Sequence, residues 1–128
     1  MTRVAVVTGG TRGIGQAISI ALKNKGFRVA ANYGGNDTAA RQFQAETGIP
    51  IYKWDVSDYA ACKKGVASVT RELGPIDVLV NNAGITRDGM LHRMTRETWD
   101  AVIRTNLDSV FNMTRSISTK SQKNLTNT

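Results

Sequence analysis

The feature that most constrains the fold is the stretch from Val4 to Gly15, which reads VAVVTGGTRGIG. Four apolar residues run straight into a glycine-rich segment, which is typical of a strand buried on both faces of a sheet. Behind the glycines, apolar residues recur at helical spacing, and Gly26 follows where a helix would end. The expected apolar stripe consists of Ile14, Ala17, Ile18, Ala21 and Leu22. The stretch therefore predicts a strand, a tight turn and a helix.

The turn itself predicts a phosphate-binding site. Free backbone N–H groups at a helix N-terminus attract anions, and glycines let a pyrophosphate approach the backbone. The spacing is T-G-x-x-x-G-x-G from Thr8 to Gly15, whereas the shorter G-x-G-x-x-G/A fails because Ile18 stands at its last position. An ordinary strand–helix turn that happens to be rich in glycine is the alternative interpretation.

The rest of the chain alternates strand and helix patterns. Further strands are expected at residues 27–31, 49–54 and 76–80. Three more helices are expected. The second begins at Asn36 or Asp37 and ends at Gly48, the third begins at Asp58 and ends at Gly74 with Pro75, and the fourth begins at about Arg96. The alternation predicts an α/β fold with a doubly wound parallel sheet in the order 3-2-1-4.

A polar residue is found at the end of each predicted strand, in the segments Thr8 and Gly9, Asn32 and Tyr33, Asp55 and Val56, and residues 82–84. The carboxyl ends of parallel strands share one rim of the sheet, and ligands bind there. We therefore expect these residues to line one site.

Composition excludes several classes of protein. The 128 residues suit a single domain, and no run of about 18 apolar residues predicts a membrane span. A single cysteine, Cys62, and a start directly into a strand favour the cytoplasm without a leader. The lone His92 predicts no metal site. The net charge of +7 is scattered rather than clustered, which favours phosphorylated small molecules over nucleic acid.

Asn106 lies inside the apolar stripe of the fourth predicted helix, whose other members are Trp99, Ile103, Val110 and Met113. A buried amide needs hydrogen-bond partners. Two interpretations stay open: Asn106 ties down a backbone carbonyl, or it holds a water or a proton-relay group. Residues 116–128 are almost all polar, so we expect a domain over residues 1–115 and a disordered tail after it.

Together these residues resemble the short-chain dehydrogenase/reductase family. The resemblance depends on the Thr8–Gly15 spacing, Asp55, the Asn-Asn-Ala-Gly of residues 81–84, and Asn106 followed by Leu107. The strings GFRVAANYG, NNAGITRD and MTRETWDAVIRTNLDSVFNMT are most similar to the branch that reduces 3-oxoacyl thioesters, acetoacetyl-CoA of polyhydroxyalkanoate synthesis above all. Carrier-protein thioesters of fatty-acid synthesis are the alternative substrate.

The resemblance implies a Rossmann-type sheet, truncated here after the fourth helix, a homotetramer and an NADP(H) cofactor. Asn106 would be the Asn of a catalytic tetrad, and Asp88 would contact the acyl thioester substrate. The implied cofactor-binding residues are Thr8, Gly9, Thr11, Arg12, Gly13, Ile14, Gly15, Asn32, Tyr33, Gly34, Asp55, Val56, Asn82, Ala83, Gly84 and Ile85. The residues themselves favour NADP, since no carboxylate follows the second strand before Asp37, and the Arg12 guanidinium suits a 2′-phosphate.

The family's catalytic Ser, Tyr and Lys belong to a later strand and helix, and the chain stops before them. Tyr59 and Lys63 match Tyr-x-x-x-Lys but come one strand too early, so we expect no catalytic role for them. The chain by itself is therefore expected to be an inactive fragment of a reductase. A non-catalytic nucleotide-binding fragment and a basic nucleic-acid-binding module are the competing hypotheses.

Overall fold

The computed structural model describes residues 2–83, 96–97 and 112–117. Its elements alternate along the chain: β1 (Val4–Val7), α1 (Gly13–Asn24), β2 (Arg28–Tyr33), α2 (Asp37–Thr47), β3 (Ile51–Lys53), α3 (Tyr59–Leu73) and β4 (Ile76–Val80). The four strands form one sheet in the order β3-β2-β1-β4, and every neighbouring pair is parallel. This confirms the predicted fold class and strand order, and β1 and β4 have the predicted bounds.

The core lies on both faces of the central strand β1. Val6 packs into one cluster with α3 and with Met113, while Val7 packs into the other with Phe43 of α2 and with Ile49. All four residues of β1 are buried. The continuous apolar run therefore occurs because successive side chains point to opposite faces and both faces are covered.

The predicted helix caps are confirmed. The side chains of Asn36 and Asp58 each accept from the backbone N–H three residues on, at 3.0 and 3.2 Å. Gly48 ends α2 in the left-handed conformation, at φ 73°. After α1, the N–H of Gly26 bonds to the carbonyl two residues before the cap, and the N–H of Phe27 reaches Leu22 at 3.1 Å. That arrangement satisfies the free carbonyls of the last turn.

The predicted apolar face of α1 is wrong in part. Gly15 and Ser19 are its buried residues, whereas Ile14 is 76% exposed, and Ala17 and Ala21 are exposed as well. Ile18 and Leu22 are half-buried, as the stripe predicts. The buried face carries small residues because the first turns of α1 lie directly against the glycine loop.

Two strands differ from their predicted bounds. β2 continues through Asn32 and Tyr33, which we expected to end it. β3 is shorter than expected, since it covers only Ile51–Lys53. Ile49 and Trp54 are buried but lie outside the paired residues. Trp54 packs its indole against Gly65 of α3 instead, where an added Cβ would fall 2.3 Å from the ring.

The fourth predicted helix is described only in pieces. Arg96 and Glu97 are helical, as are residues 112–117, and Met113 is fully buried as its stripe predicts. Trp99, Ile103, Asn106 and Val110 lie outside the described residues. Helical structure continues through residues 116 and 117. The predicted boundary between a domain and a tail after residue 115 stays a prediction. In the part of the chain that the structure describes, no helix is both long and apolar enough to span a membrane.

Candidate functional site

Thr8 joins the ends of β1 and β4. Its side chain is buried, and its Oγ1 accepts from the backbone N–H groups of Asn82 and Ala83, each at 2.9 Å. The same hydroxyl donates to the carbonyl of Val80 at 3.3 Å, and the Thr8 N–H donates to that carbonyl at 3.1 Å. One hydroxyl thus holds two of the predicted strand-end segments together.

Gly9 is held from both sides. Its N–H donates to the Asn32 Oδ1 at 3.3 Å, and its carbonyl accepts from the Asn82 Nδ2 at 3.2 Å. Asn32 is 1% exposed and also donates through Nδ2 to the carbonyl of Trp54 at 3.1 Å. A buried amide is tolerated inside β2 because these bonds satisfy it. The structure thus shows Asn32 holding the glycine loop, and its part in cofactor binding stays a prediction.

The loop brings α1 into very close contact with β1. A Cβ on Gly15 would lie 2.0 Å from the carbonyl oxygen of Gly9 and 2.6 Å from the Asn82 Nδ2, so only glycine fits there. Gly13 has φ 58° and open space where a side chain would stand. Both glycines are required, one for packing and one for a left-handed turn beside open space.

The N-terminus of α1 has no side-chain cap. Arg12 is its extended N-cap residue and makes no side-chain capping bond, so the first N–H groups of the helix have no partner within it. The helix dipole adds positive potential at the same point. Backbone donors and an exposed arginine thus converge beside the open space at Gly13.

A cavity of about 330 Å³ opens on this helix end. It is lined by Gly9, Thr11, Arg12, Gly13, Tyr33, Gly35, Asn36, Asn82 and Ala83. Residues that follow β1, β2 and β4 therefore meet at one rim, as the sequence predicts. Gly35 and Asn36 were not among the predicted site residues, and the cap signal at Asn36 did not by itself indicate a place in the lining.

A larger cavity of about 440 Å³ lies at the opposite end of the strands, beside Arg3 and Lys25. It contains none of the predicted site residues.

Ser19 is a supporting residue that the sequence analysis missed. It is fully buried, and its Oγ donates to the carbonyl of Gly10 at 3.0 Å. This bond fixes the back of the glycine loop to α1. The available signal was a hydroxyl four residues after Gly15, on the helix face that had to pass close to the loop.

Asp55 and Val56 follow β3 on the same rim but do not line the cavity. The Ser57 hydroxyl and backbone N–H both donate to the Asp55 Oδ1, at 2.7 and 2.9 Å, and they hold the pKa of that carboxyl below its usual value. The Val56 carbonyl accepts from the Asn112 Nδ2 at 3.1 Å. Residues 112–117 are therefore tied to the turn after β3.

Asp37 at the start of α2 forms a small charged cluster. The Tyr33 hydroxyl donates to its Oδ1 at 3.2 Å, and the Lys53 ammonium lies 3.1 Å from the same oxygen. The bond from Lys53, and then that from Tyr33, lowers the pKa of the Asp37 carboxyl. Partial burial, together with Asp37, raises the pKa of the Tyr33 phenol.

Other predicted residues fall elsewhere. Gly84, Ile85, Asp88 and Asn106 lie outside the described residues. Gly34 is exposed just after β2 and does not line the cavity.

The Tyr-x-x-x-Lys match lies at the start of α3, where the Lys63 ammonium stands 5.7 Å from the centroid of the Tyr59 ring. The strand that precedes α3 is β3, which lies at the opposite edge of the sheet from β4. Within the described ranges, no group of three or more His, Cys, Asp or Glu residues could hold a metal ion.

The family model for short chain dehydrogenases matches residues 3–124 of this sequence. The chain therefore belongs to the short-chain dehydrogenase family. A solved structure described as a short-chain dehydrogenase from Novosphingobium aromaticivorans has the same fold, with a TM-score of 0.81, 24% identity, and coverage of 98% of this chain and 47% of that one.

Two curated relatives are more similar in sequence. An acetoacetyl-CoA reductase of Shinella zoogloeoides is 66% identical over 117 residues, which are 91% of this chain and 48% of the relative. A 3-oxoacyl-acyl-carrier-protein reductase of Staphylococcus aureus is 44% identical over 117 residues, or 88% of this chain and 48% of the relative. The chain thus spans about half the length of the curated relatives it matches.

Proposed function

We propose that this chain forms the cofactor-binding half of an NADPH-dependent oxidoreductase that reduces a 3-oxoacyl thioester, acetoacetyl-CoA in the first place. The observation that carries the proposal is the uncapped N-terminus of α1, which opens with Arg12 and Gly13 on the rim cavity. The 66% identical relative, an acetoacetyl-CoA reductase, supports the substrate class.

The described residues fit a nicotinamide dinucleotide. A pyrophosphate needs backbone donors and no side chains in its way, and the open space at Gly13 beside the free N–H groups of α1 meets both conditions. Thr8 and Asn82 keep the loop in place for it. The cofactor, when bound, supplies the hydride, while the loop residues bind and orient it.

NADPH is the proposed form of the cofactor. Arg12 lines the cavity and is exposed, so its guanidinium is available for a 2′-phosphate. Asn106 is proposed to hold a proton-relay water, and Asp88 to contact the thioester. By family resemblance we also propose cytoplasmic location and a homotetrameric assembly.

Two alternatives stand beside this proposal. The 44% identical relative, a 3-oxoacyl-acyl-carrier-protein reductase, favours a carrier-protein thioester as the second candidate substrate. A nucleotide-binding chain without catalysis is the other, since the family's Ser and Tyr-x-x-x-Lys are not found in their expected place among these 128 residues. We accordingly expect binding without turnover from the 128-residue chain by itself.

Cofactor binding is tested by titrating the purified 128-residue chain with NADPH and NADH and following nicotinamide fluorescence. We expect saturable binding, tighter for NADPH. Arg12→Gln should weaken NADPH by about tenfold and NADH much less, because a charge-assisted bond to phosphate is worth roughly 1.5–3 kcal/mol. Arg3→Gln removes the same charge at the opposite end of the strands and should change neither affinity. Equal affinities for the two nucleotides, or equal losses in the two variants, would refute the proposal.

Substrate class is tested in a hybrid. Residues 1–117 are joined to the remaining half of the Shinella zoogloeoides reductase, and NADPH oxidation is followed with acetoacetyl-CoA and with acetoacetyl carrier protein. We expect turnover with acetoacetyl-CoA and its loss in Asn106→Ala. A folded hybrid that binds NADPH but reduces neither thioester would contradict the proposed substrate.

A further inference from the structure

We infer that Lys53 sets the nucleotide preference of this site by neutralising Asp37, an acidic side chain that is hydrogen-bonded to the cavity-lining Tyr33. The inference depends on the proposed binding of NADP(H). It assigns a role to β3, which contributes no residue to the cavity lining.

Asp37 lies four residues beyond Tyr33, the last residue of β2, and so a little past the strand end where an NAD site would carry its acidic residue. In dinucleotide-binding sheets a carboxylate about 20 residues after the glycines accepts from the ribose 2′-hydroxyl. Asp37 is the first carboxylate after the glycine loop and begins α2 directly after the cavity-lining Asn36. Tyr33, whose hydroxyl bonds Asp37, also lines the cavity. Taken alone, a free Asp37 would favour NADH and repel a 2′-phosphate.

The structure shows that Asp37 is not free. The Lys53 ammonium lies 3.1 Å from its Oδ1 and 3.3 Å from its Oδ2, so it engages both carboxylate oxygens. The Tyr33 hydroxyl adds a third bond, to Oδ1. Arg41, one turn along α2, contributes further positive charge near the carboxylate. With Asp37 neutralised, Arg12 determines the charge that a 2′-phosphate would meet.

The pair is suited to specificity rather than to stability. The side chains of Lys53 and Asp37 are 52% and 45% exposed, and ion pairs this exposed add little to folding. Charge-removing variants should therefore fold normally, which circular dichroism and a melting curve would verify. Their effect should be confined to the difference between the two nucleotides.

The test is a double-mutant cycle on the 128-residue chain, with Lys53→Met, Asp37→Asn and the double variant. The measured quantity is the ratio of the NADH to the NADPH dissociation constant. Lys53→Met should lower that ratio by about fivefold, because an unmasked exposed charge acts with the strength of a surface pair. Asp37→Asn should leave the ratio unchanged or raise it, and the double variant should behave like Asp37→Asn. Lys64→Met removes the same charge from an exposed position on α3 and should leave the ratio unchanged.

Each outcome decides the matter. A fall in the ratio that persists in the double variant would mean that Lys53 contacts the phosphate itself, and an unchanged ratio in Lys53→Met would mean that it has no role; either result overturns the inference. Both of those results leave the proposed function intact if the wild-type chain prefers NADPH. A wild-type chain that prefers NADH, or binds neither nucleotide, overturns the proposed function and the inference together.

Discussion

Replacing Thr8 by Val should loosen the junction between β1 and β4 without changing the size of the side chain much. The substitution removes an oxygen that accepts from two backbone N–H groups and donates to one carbonyl. The loss of unfolding free energy depends on which backbone groups are left without a hydrogen-bond partner. The Val80 carbonyl keeps the N–H of Thr8 as a partner, and the N–H of Asn82 keeps the Val80 carbonyl at 3.1 Å.

The N–H of Ala83 is the group that loses its partner, since among the described residues it bonds only to the Thr8 hydroxyl. An unsatisfied N–H costs about 1–3 kcal/mol, and the added buried methyl returns about 0.8 kcal/mol. The expected loss of unfolding free energy is thus about 0.2–2.2 kcal/mol, with a centre at about 1 kcal/mol. With a urea m-value of about 2 kcal/mol/M, a loss of about 1 kcal/mol lowers the midpoint by about 0.5 M.

Urea denaturation of wild type, Thr8→Val and Thr8→Ser measures this loss, and hydrogen exchange at the Ala83 amide locates it. Thr8→Ser loses a methyl group but keeps the hydroxyl, so its Ala83 amide should stay protected. The Ala83 amide of Thr8→Val should exchange faster, and NADPH affinity should fall with it. The reasoning is refuted if Thr8→Val unfolds within 0.5 kcal/mol of wild type, an interval set by the usual size of surface effects, and keeps that amide protected.

Three further outcomes follow from the described contacts. Gly65→Ala should destabilise the fold by about 1–3 kcal/mol, because the new methyl meets an indole ring at 2.3 Å, while Gly34→Ala, with nothing within 4 Å, should be nearly neutral in the same denaturation assay. Burial raises the pKa of the Cys62 thiol to about 11, so its reaction with a disulfide reagent at pH 8 should be slow in the native chain and fast in urea. Ser57→Ala should raise the pKa of the Asp55 carboxyl, which NMR titration would measure. Because the pKa of Asp55 is lower in the folded than in the unfolded chain, its ionised form stabilises the fold above the unfolded pKa, and this stabilisation is lost as pH falls through the folded pKa. Ser57→Ala should therefore make the stability of the chain fall less on acidification.

Most of the sheet could be predicted because its signals are local. The buried run Val4–Val7, the caps at Asn36 and Asp58, and the left-handed Gly48 each follow from one short stretch of sequence. The convergence of strand ends at one rim then follows from the topology alone.

The errors arose where distant contacts decide the structure. Asn32 looked like a strand terminator, and it sits inside β2 because Gly9 and Trp54 satisfy its amide. The buried face of α1 contains Ser19 and not Ile14, because that face of the helix packs closely against the glycine loop. No short-range pattern reports such partners, and the pairing of Asp37 in α2 with Lys53 in β3 cannot be read from the sequence either.

The bonds of Thr8 also constrain the order in which the molecule is built. Its partners in β4 and beyond lie 72 to 75 residues away in the sequence, whereas β1 finds β2 after a single helix. Contacts that close long loops form late, and a chain emerging from the ribosome folds its first part before the rest exists. Asn32 can hold the glycine loop as soon as β2 has been made, but the Thr8 hydroxyl can accept from the Ala83 N–H only after residue 83 has been made. We therefore expect the glycine loop to lack its bonds to β4 while β4 is still being made, and the rim cavity to be complete only afterwards.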